Sequence, residues 1–219
     1  MQDIGETSEH IAVAHGRLQR LQLVITMASF ATFVITAGLP IYSTEIGASG
    51  FEVGELFAAG ALMTAIARPI IGRALDLYGR KPFLLLGMAI LAISMILFAL
   101  SRDVTMLLIA STMQGLGLGT MLLSAYAMTA DLTMVGGRAG SFGSTEQSQY
   151  RGGLYGGLLA IPVLLLTGFT PQGQLRVTPL AWTILFLLYA SMGGVAFVVG
   201  LKGIRETYSV VVRHEAQSE

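Results

Sequence analysis

Two long apolar runs, residues 51–71 and 83–100, are joined by a short charged link, and this pairing constrains the fold more than any other feature. An apolar run of about 18 residues or more predicts a membrane-spanning helix, because about 20 residues rising 1.5 Å each cross a hydrocarbon core of about 30 Å. A link this short makes the two helices antiparallel neighbours. Only 12% of the chain is charged, against about 25% in soluble domains. We therefore predict an all-α membrane protein.

Basic residues indicate how the chain crosses the membrane, because they are enriched on the cytoplasmic side. Four of them lie in or beside the link: Arg68, Arg73, Arg80 and Lys81. Of the 13 basic residues, eleven fall on or near one side, and Arg102 and Arg176 fall on the other. The remaining members of the larger group are Arg17, Arg20, Arg138, Arg151, Lys202, Arg205 and Arg213. This asymmetry predicts six spans with both termini in the cytoplasm and outer loops near residues 47, 102 and 174.

The other predicted helices cover residues 21–42, 104–130 and 180–201, with a fifth helix whose start is ambiguous. If that helix begins at Gln149, Glu146 belongs to a loop; if it begins near Arg138, Glu146 and Arg151 lie inside the bundle. Pro40 is expected to break the first helix, and Tyr42 and Trp182 to lie at the membrane interface. The predicted divisions are a disordered or loosely helical polar tail (1–17), a six-helix domain (18–207) and a tail or linker (208–219).

Catalysis, cofactors and nucleic acid find little support in the composition. The chain has no cysteine, its net charge is zero, and its three histidines lie in the predicted tails without metal-ligand spacing. No nucleophile, base and orienting group converge. We therefore expect neither an enzyme nor a metal or cofactor site, and we expect the lipid bilayer to be a partner. A small-molecule substrate is expected only from the family resemblance that follows.

The residue order of the link resembles the signature loop between the second and third helices of the major facilitator superfamily of secondary transporters. The matching residues are Gly72, Asp76, Gly79, Arg80 and Lys81. Leu77 stands where that family usually has a basic residue, and Ala74 and Leu75 carry its apolar pair in swapped order.

Two later segments extend the resemblance. Gln114 to Gly117 is similar to the fourth-helix signature, although Ser111 occupies the position of its arginine, and residues 205–207 are similar to the end of the sixth helix. The fifth-helix antiporter signature is not reproduced. In proton-linked exporters the arginine is tied to energy coupling, so its absence weakens a proton-antiport interpretation.

The resemblance covers about residues 18–207 and implies the N-terminal half of a sugar- or drug-efflux-type transporter, built from two inverted three-helix repeats. Such a half works by alternating access and needs a second six-helix half or a second copy. The alternative is a membrane scaffold or sensor that kept the fold without transporting. The signature loop favours transport, whereas Ser111 and the missing fifth-helix motif favour the scaffold.

Two groups of residues are candidates for function. The resemblance implies a charge cluster and conformational switch formed by the signature-loop residues with Asp131, in which Arg80 pairs with Asp76 and Asp131. We also predict that Thr32, Gln114, Tyr126 and Arg151 face a central substrate cavity. For Gln114 a second interpretation stays open, since a buried amide also binds neighbouring membrane helices together.

Overall fold

The computed structural model describes residues 2–167 and 178–207, and these residues form seven α-helices and one 3₁₀ turn. The helices are α1 (Gln2–Ala28), α2 (Thr32–Glu45), α3 (Gly50–Tyr78), α4 (Lys81–Leu100), α5 (Val104–Asp131), α6 (Arg138–Thr167) and α7 (Pro179–Gly203), with the 3₁₀ turn at Val135–Gly137. The predicted outer loop around residue 174 lies outside the described residues.

Five segments of the described chain are long and apolar enough to cross a membrane: Val13–Glu45, Gly50–Tyr78, Lys81–Leu100, Val104–Asp131 and Pro179–Gly203. The sixth long helix, α6, has 30 residues and packs against α1, α2 and α5. Its first half carries Arg138, Glu146 and Arg151, so it is less apolar than the other five. The architecture is therefore all-α, with five apolar spans and one more polar helix among them.

The first span differs from the prediction of one helix that ends at Pro40. Helical structure begins at Gln2, ends at Ala28 and resumes at Thr32, so the break lies at residues 29–31. Pro40 sits inside α2, which continues to Glu45. The break occurs where α6 comes closest, because a methyl group on Gly156 would overlap the backbone oxygen of Phe30. Irregular backbone at membrane depth is tolerated where protein covers it.

The charged link is shorter than the predicted one. Residues 72–78 belong to α3, so only Gly79 and Arg80 connect α3 with α4. Gly79 has φ of 91°, a conformation that glycine adopts without the steric cost that a Cβ brings. Pro82 stands in the first turn of α4, where its missing N–H would have had no intrahelical partner.

The start of α6 settles the alternative left open by the sequence. The helix begins at Arg138, so Glu146 and Arg151 belong to it rather than to a loop. Side-chain bonds hold this first half of α6 to its neighbours: Gln22 of α1 donates to Ser144 at 2.8 Å, and Thr129 of α5 bonds Thr145 at 3.0 Å.

Tyr42 and Trp182, which we predict to lie at the level of the membrane interface, are buried within the protein, where each is 2% exposed. Their rings pack against each other and against Phe186 of α7. Their polar atoms are paired too: the Tyr42 hydroxyl donates to the Ser101 carbonyl, and the Trp182 indole donates to Glu45. Tertiary packing buries these rings because three helices converge on them. We call this region the Trp182 end and the opposite one, at the α3–α4 link, the Arg80 end.

Candidate functional site

The charge cluster predicted at the Arg80 end is present. Arg80 Nη1 lies 2.9 Å from Asp76 Oδ1, and Arg80 Nε lies 3.3 Å from Asp131 Oδ2. The Arg80 and Asp131 side chains are 13% and 10% exposed, whereas Asp76 is 75% exposed. Arg80 therefore joins the last turn of α3 to the last residue of α5, and the better shielded of its two ion pairs is the one with Asp131.

Glu206 is a member of this cluster that sequence reasoning missed. Its carboxylate accepts hydrogen bonds from the backbone N–H groups of Arg80 and Lys81, at 2.9 and 3.0 Å. A carboxylate at a helix N-terminus satisfies donors without intrahelical partners and complements the helix dipole. The similarity of residues 205–207 to the family's sixth-helix end marked the segment, but nothing local in the sequence placed it against α4.

Two further contacts tie the last turn of α7 and the segment after it to the same cluster. The Thr207 hydroxyl donates to Asp131 Oδ2 at 2.8 Å, and Lys81 Nζ donates to the Leu201 carbonyl at 2.9 Å. Asp131 thus accepts from both Arg80 and Thr207. The ends of α3, α4, α5 and α7 meet in one hydrogen-bonded network, and moving any of these ends relative to the others would break at least one bond.

Thr32 and Gln114, two of the four predicted cavity residues, line one cavity beside the break in the first span. Ala31, Met95 and Tyr189 also line it. Its volume is about 20 Å³, enough for a water molecule and far below the roughly 300–1,000 Å³ typical of ligand pockets. Among the described residues, Thr32 and Gln114 thus share a cavity that is smaller than a substrate site.

Tyr126 and Arg151 do not reach this cavity. The Tyr126 hydroxyl donates to the Glu146 carboxylate across the α5–α6 contact, and its ring packs edge-on against Phe142 at 6.0 Å. Arg151 is exposed on α6. Glu146, which the sequence offered only under one of two helix starts, is thus the polar partner of Tyr126.

Ser111 lies beside a close contact between α5 and α3. Ser111 is 3% exposed, and a methyl group on Gly60 of α3 would lie 3.2 Å from its backbone oxygen. At Gly115, one turn further along α5, a methyl group would overlap the backbone of Gly60. The backbones of the two helices are therefore in direct contact next to Ser111.

The family model that matches this sequence is the Major Facilitator Superfamily, over residues 21–218. The chain belongs to the major facilitator superfamily. It is therefore related to multi-pass transporters of the plasma membrane, which agrees with its apolar spans.

Three relatives illustrate the range of this similarity. A triacylglyceride transporter of Mycolicibacterium smegmatis is 28% identical over 162 residues, which are 73% of this chain and 28% of the relative. The efflux pump dotC of Dothistroma septosporum is 29% identical over 179 residues, 81% of this chain and 28% of the relative. Multidrug resistance protein 1 of Bacillus subtilis is 29% identical over 126 residues, 56% of this chain and 32% of the relative. The chain spans about a third of the length of the relatives it matches.

Proposed function

We propose that this chain is one half of a secondary active transporter that moves a small solute across the plasma membrane by alternating access. It works with a second six-helix half or a second copy, and both of its described ends face the cytoplasm. The observation that carries the proposal is the network around Arg80. It concentrates exchangeable polar contacts at one end of the bundle, in the segment that matches the superfamily's signature loop.

The cavity supports the need for a partner. A space of about 20 Å³ beside Thr32 and Gln114 admits no solute larger than water. In transporters of this architecture the solute binds between two halves that rock against each other. The substrate site of the complete protein is therefore completed by surfaces outside this chain, and Gln114 acts at its edge.

Transport is tested in vesicles that contain the chain alone or together with a candidate second half. A quinolone and a triacylglyceride are suitable first probes, since curated relatives are named for them. We expect movement of a probe only when the second half or a dimer is present, and a clear loss with Gln114→Leu. Met113→Leu, on the same helix, is the matched control. A strictly monomeric chain that moves a probe unaided would refute the half-transporter proposal.

Orientation is tested with single cysteines, which is unambiguous because the chain has none. Phe51 and Leu77 are 77% and 74% exposed and lie at opposite ends of α3. A cysteine at residue 51 should react with an impermeant reagent on intact cells, and a cysteine at residue 77 only after permeabilisation. The reverse pattern would invert the proposed topology.

One observation favours the scaffold alternative, namely the close contact between α3 and α5 beside Ser111. Ser111 stands there in place of the arginine that proton-linked exporters use. A protein pair that binds a probe in membranes yet never accumulates it in vesicles would support this alternative.

A further inference from the structure

One face of α6 is uncovered along its whole length. Residues spaced three and four apart on this helix lie on the same side, and those at positions 147, 151, 154, 155 and 158 are all exposed. Leu154, Tyr155 and Leu158 are 56%, 50% and 56% exposed. The face is therefore apolar on one side of Arg151 and polar on the other, where Gln147 lies.

Contacts with neighbouring helices show how deep Arg151 lies. Thr145 of α6 bonds Thr129, which is two residues from Asp131 at the Arg80 end. Arg151 is six residues beyond Thr145, a rise of about 9 Å. The next residue, Gly152, packs against Thr26 and Ser29, beside the break in the first span. The backbone of Arg151 thus lies well away from the Arg80 end along the length of the bundle, although its side chain is exposed.

No carboxylate among the described residues pairs with Arg151. Both ion pairs found in that part of the chain belong to Arg80. Glu146, the nearest acid on α6, bonds Tyr126, and five residues of separation place it about 140° away around the helix. Beyond the Arg80 end, α1, α2, α5 and α7 carry no charged residue until Glu45 at the opposite end.

A cation at this depth strongly favours an anion beside it. Placing an arginine within the hydrocarbon region costs about 2.5–3.5 kcal/mol on insertion scales. Its planar fork of donors binds carboxylate and phosphate groups through two parallel hydrogen bonds. The neighbouring face supplies aliphatic and tyrosine side chains, which bury apolar groups. Charge and shape together fit a molecule with an anionic head and an apolar body.

We propose that Arg151 binds the anionic head group of an amphipathic solute whose apolar part lies along Leu154, Tyr155 and Leu158. This inference rests on the proposed transport function and names its substrate class. The competing occupant is a carboxylate of the second half, in a permanent ion pair with Arg151. The labelling experiment below distinguishes these two occupants.

The test uses photoreactive labelling in native membranes, so that any partner of the chain remains in place. The probes are a diazirine-bearing palmitate, the corresponding alkyl phosphate, and the methyl ester of the palmitate, which has the same tail without charge. We expect half-maximal labelling of this chain at concentrations at least about tenfold lower for the two anions than for the ester, as fits a hydrogen bond to a charged group. Arg151→Gln should abolish this preference and Arg151→Lys should retain part of it. Arg138→Gln, at the start of the same helix, is the control that should leave it unchanged.

Each other outcome overturns the proposal in a recognisable way. Equal labelling by acid and ester, or a preference that survives Arg151→Gln, would exclude Arg151 as the head-group site. A variant that loses a partner chain on gel filtration, while its head-group preference stays normal, would assign Arg151 to an ion pair between halves. If the anions bind selectively but are never moved across the vesicle membrane, the proposed transport function is wrong and the proposed head-group site is supported. If probes are moved without a head-group preference, the proposed head-group site is wrong and the proposed transport function is supported.

Discussion

At the Trp182 end, the rings of Tyr42, Phe98, Trp182 and Phe186 pack at centroid distances of 5.4–6.0 Å. All four are at most 2% exposed. At the Arg80 end, by contrast, α3, α4, α5 and the segment after α7 meet through ion pairs and capping hydrogen bonds. Aromatic rings fill the core at the Trp182 end, whereas the Arg80 end combines an aliphatic core, which includes Leu84 and Ile204, with a network of directional polar bonds.

This difference assigns the two ends different mechanical roles. Ring packing is cumulative and non-directional, and each buried aromatic contributes through many small contacts. A hydrogen bond or ion pair can be exchanged for another, with water or with a different residue, at a net difference of about 0.5–1.5 kcal/mol. Rearrangement of helix ends is therefore less costly at the Arg80 end, which suits the conformational switch expected of the signature loop.

The largest effect should come from the aromatic end. Trp182→Ala should lower the free energy of unfolding by about 3–5 kcal/mol, because it empties a fully packed site and leaves Glu45 without its indole donor. Leu180→Ala, at a residue of the same helix that is 65% exposed, is the control and should change little. Unfolding of the purified protein in mixed micelles measures both. A loss below about 1 kcal/mol for Trp182→Ala would remove the contrast between the ends.

A smaller loss is expected at the ion pairs, and the two acids should differ. Asp131→Ala should cost about 2 kcal/mol, because it removes the shielded acceptor that Arg80 Nε and the Thr207 hydroxyl share, while Asp76 and the Leu75 carbonyl still bind the guanidinium. Asp76→Ala should cost less than about 1 kcal/mol, because Asp76 is 75% exposed and water replaces the pair. The same unfolding assay applies. Equal losses for the two variants would mean that burial does not determine which of the two ion pairs contributes more to the free energy of unfolding.

A small effect is also expected for Glu206, the residue that sequence reasoning missed. Glu206→Gln keeps the shape but removes the charge that complements the N-terminus of α4, so stability should fall by about 1 kcal/mol. Because this charge interaction is electrostatic, we expect the difference to shrink at high salt. Glu55→Gln, at an exposed residue of α3, serves as the control. A loss independent of salt would argue that Glu206 acts through packing alone.

Much of the site was accessible to sequence reasoning because its residues are close along the chain. Arg80 follows Asp76 by four residues, and the match to the signature loop brought Asp131 into the cluster. Thr32 and Gln114 line one small cavity, and their role in a substrate site stays a prediction. The structure does not place Tyr126 and Arg151 at this cavity. Their surroundings depend on how α6 packs against α5, and the sequence left the start of α6 open.

By itself, the sequence determined the helical class and the approximate limits of the apolar spans, since hydropathy and helix rise depend only on consecutive residues. It also determined the turn at Gly79, where a positive φ favours glycine. Tertiary structure alone decided the break at residues 29–31, because the close approach of Gly156 to Phe30, and not Pro40, marks that point. It also decided the burial of Trp182 and the capping of α4 by Glu206, which lies 125 residues from Lys81 along the chain. Contacts between residues so far apart follow from how the helices pack, and local pattern carries no information about that packing.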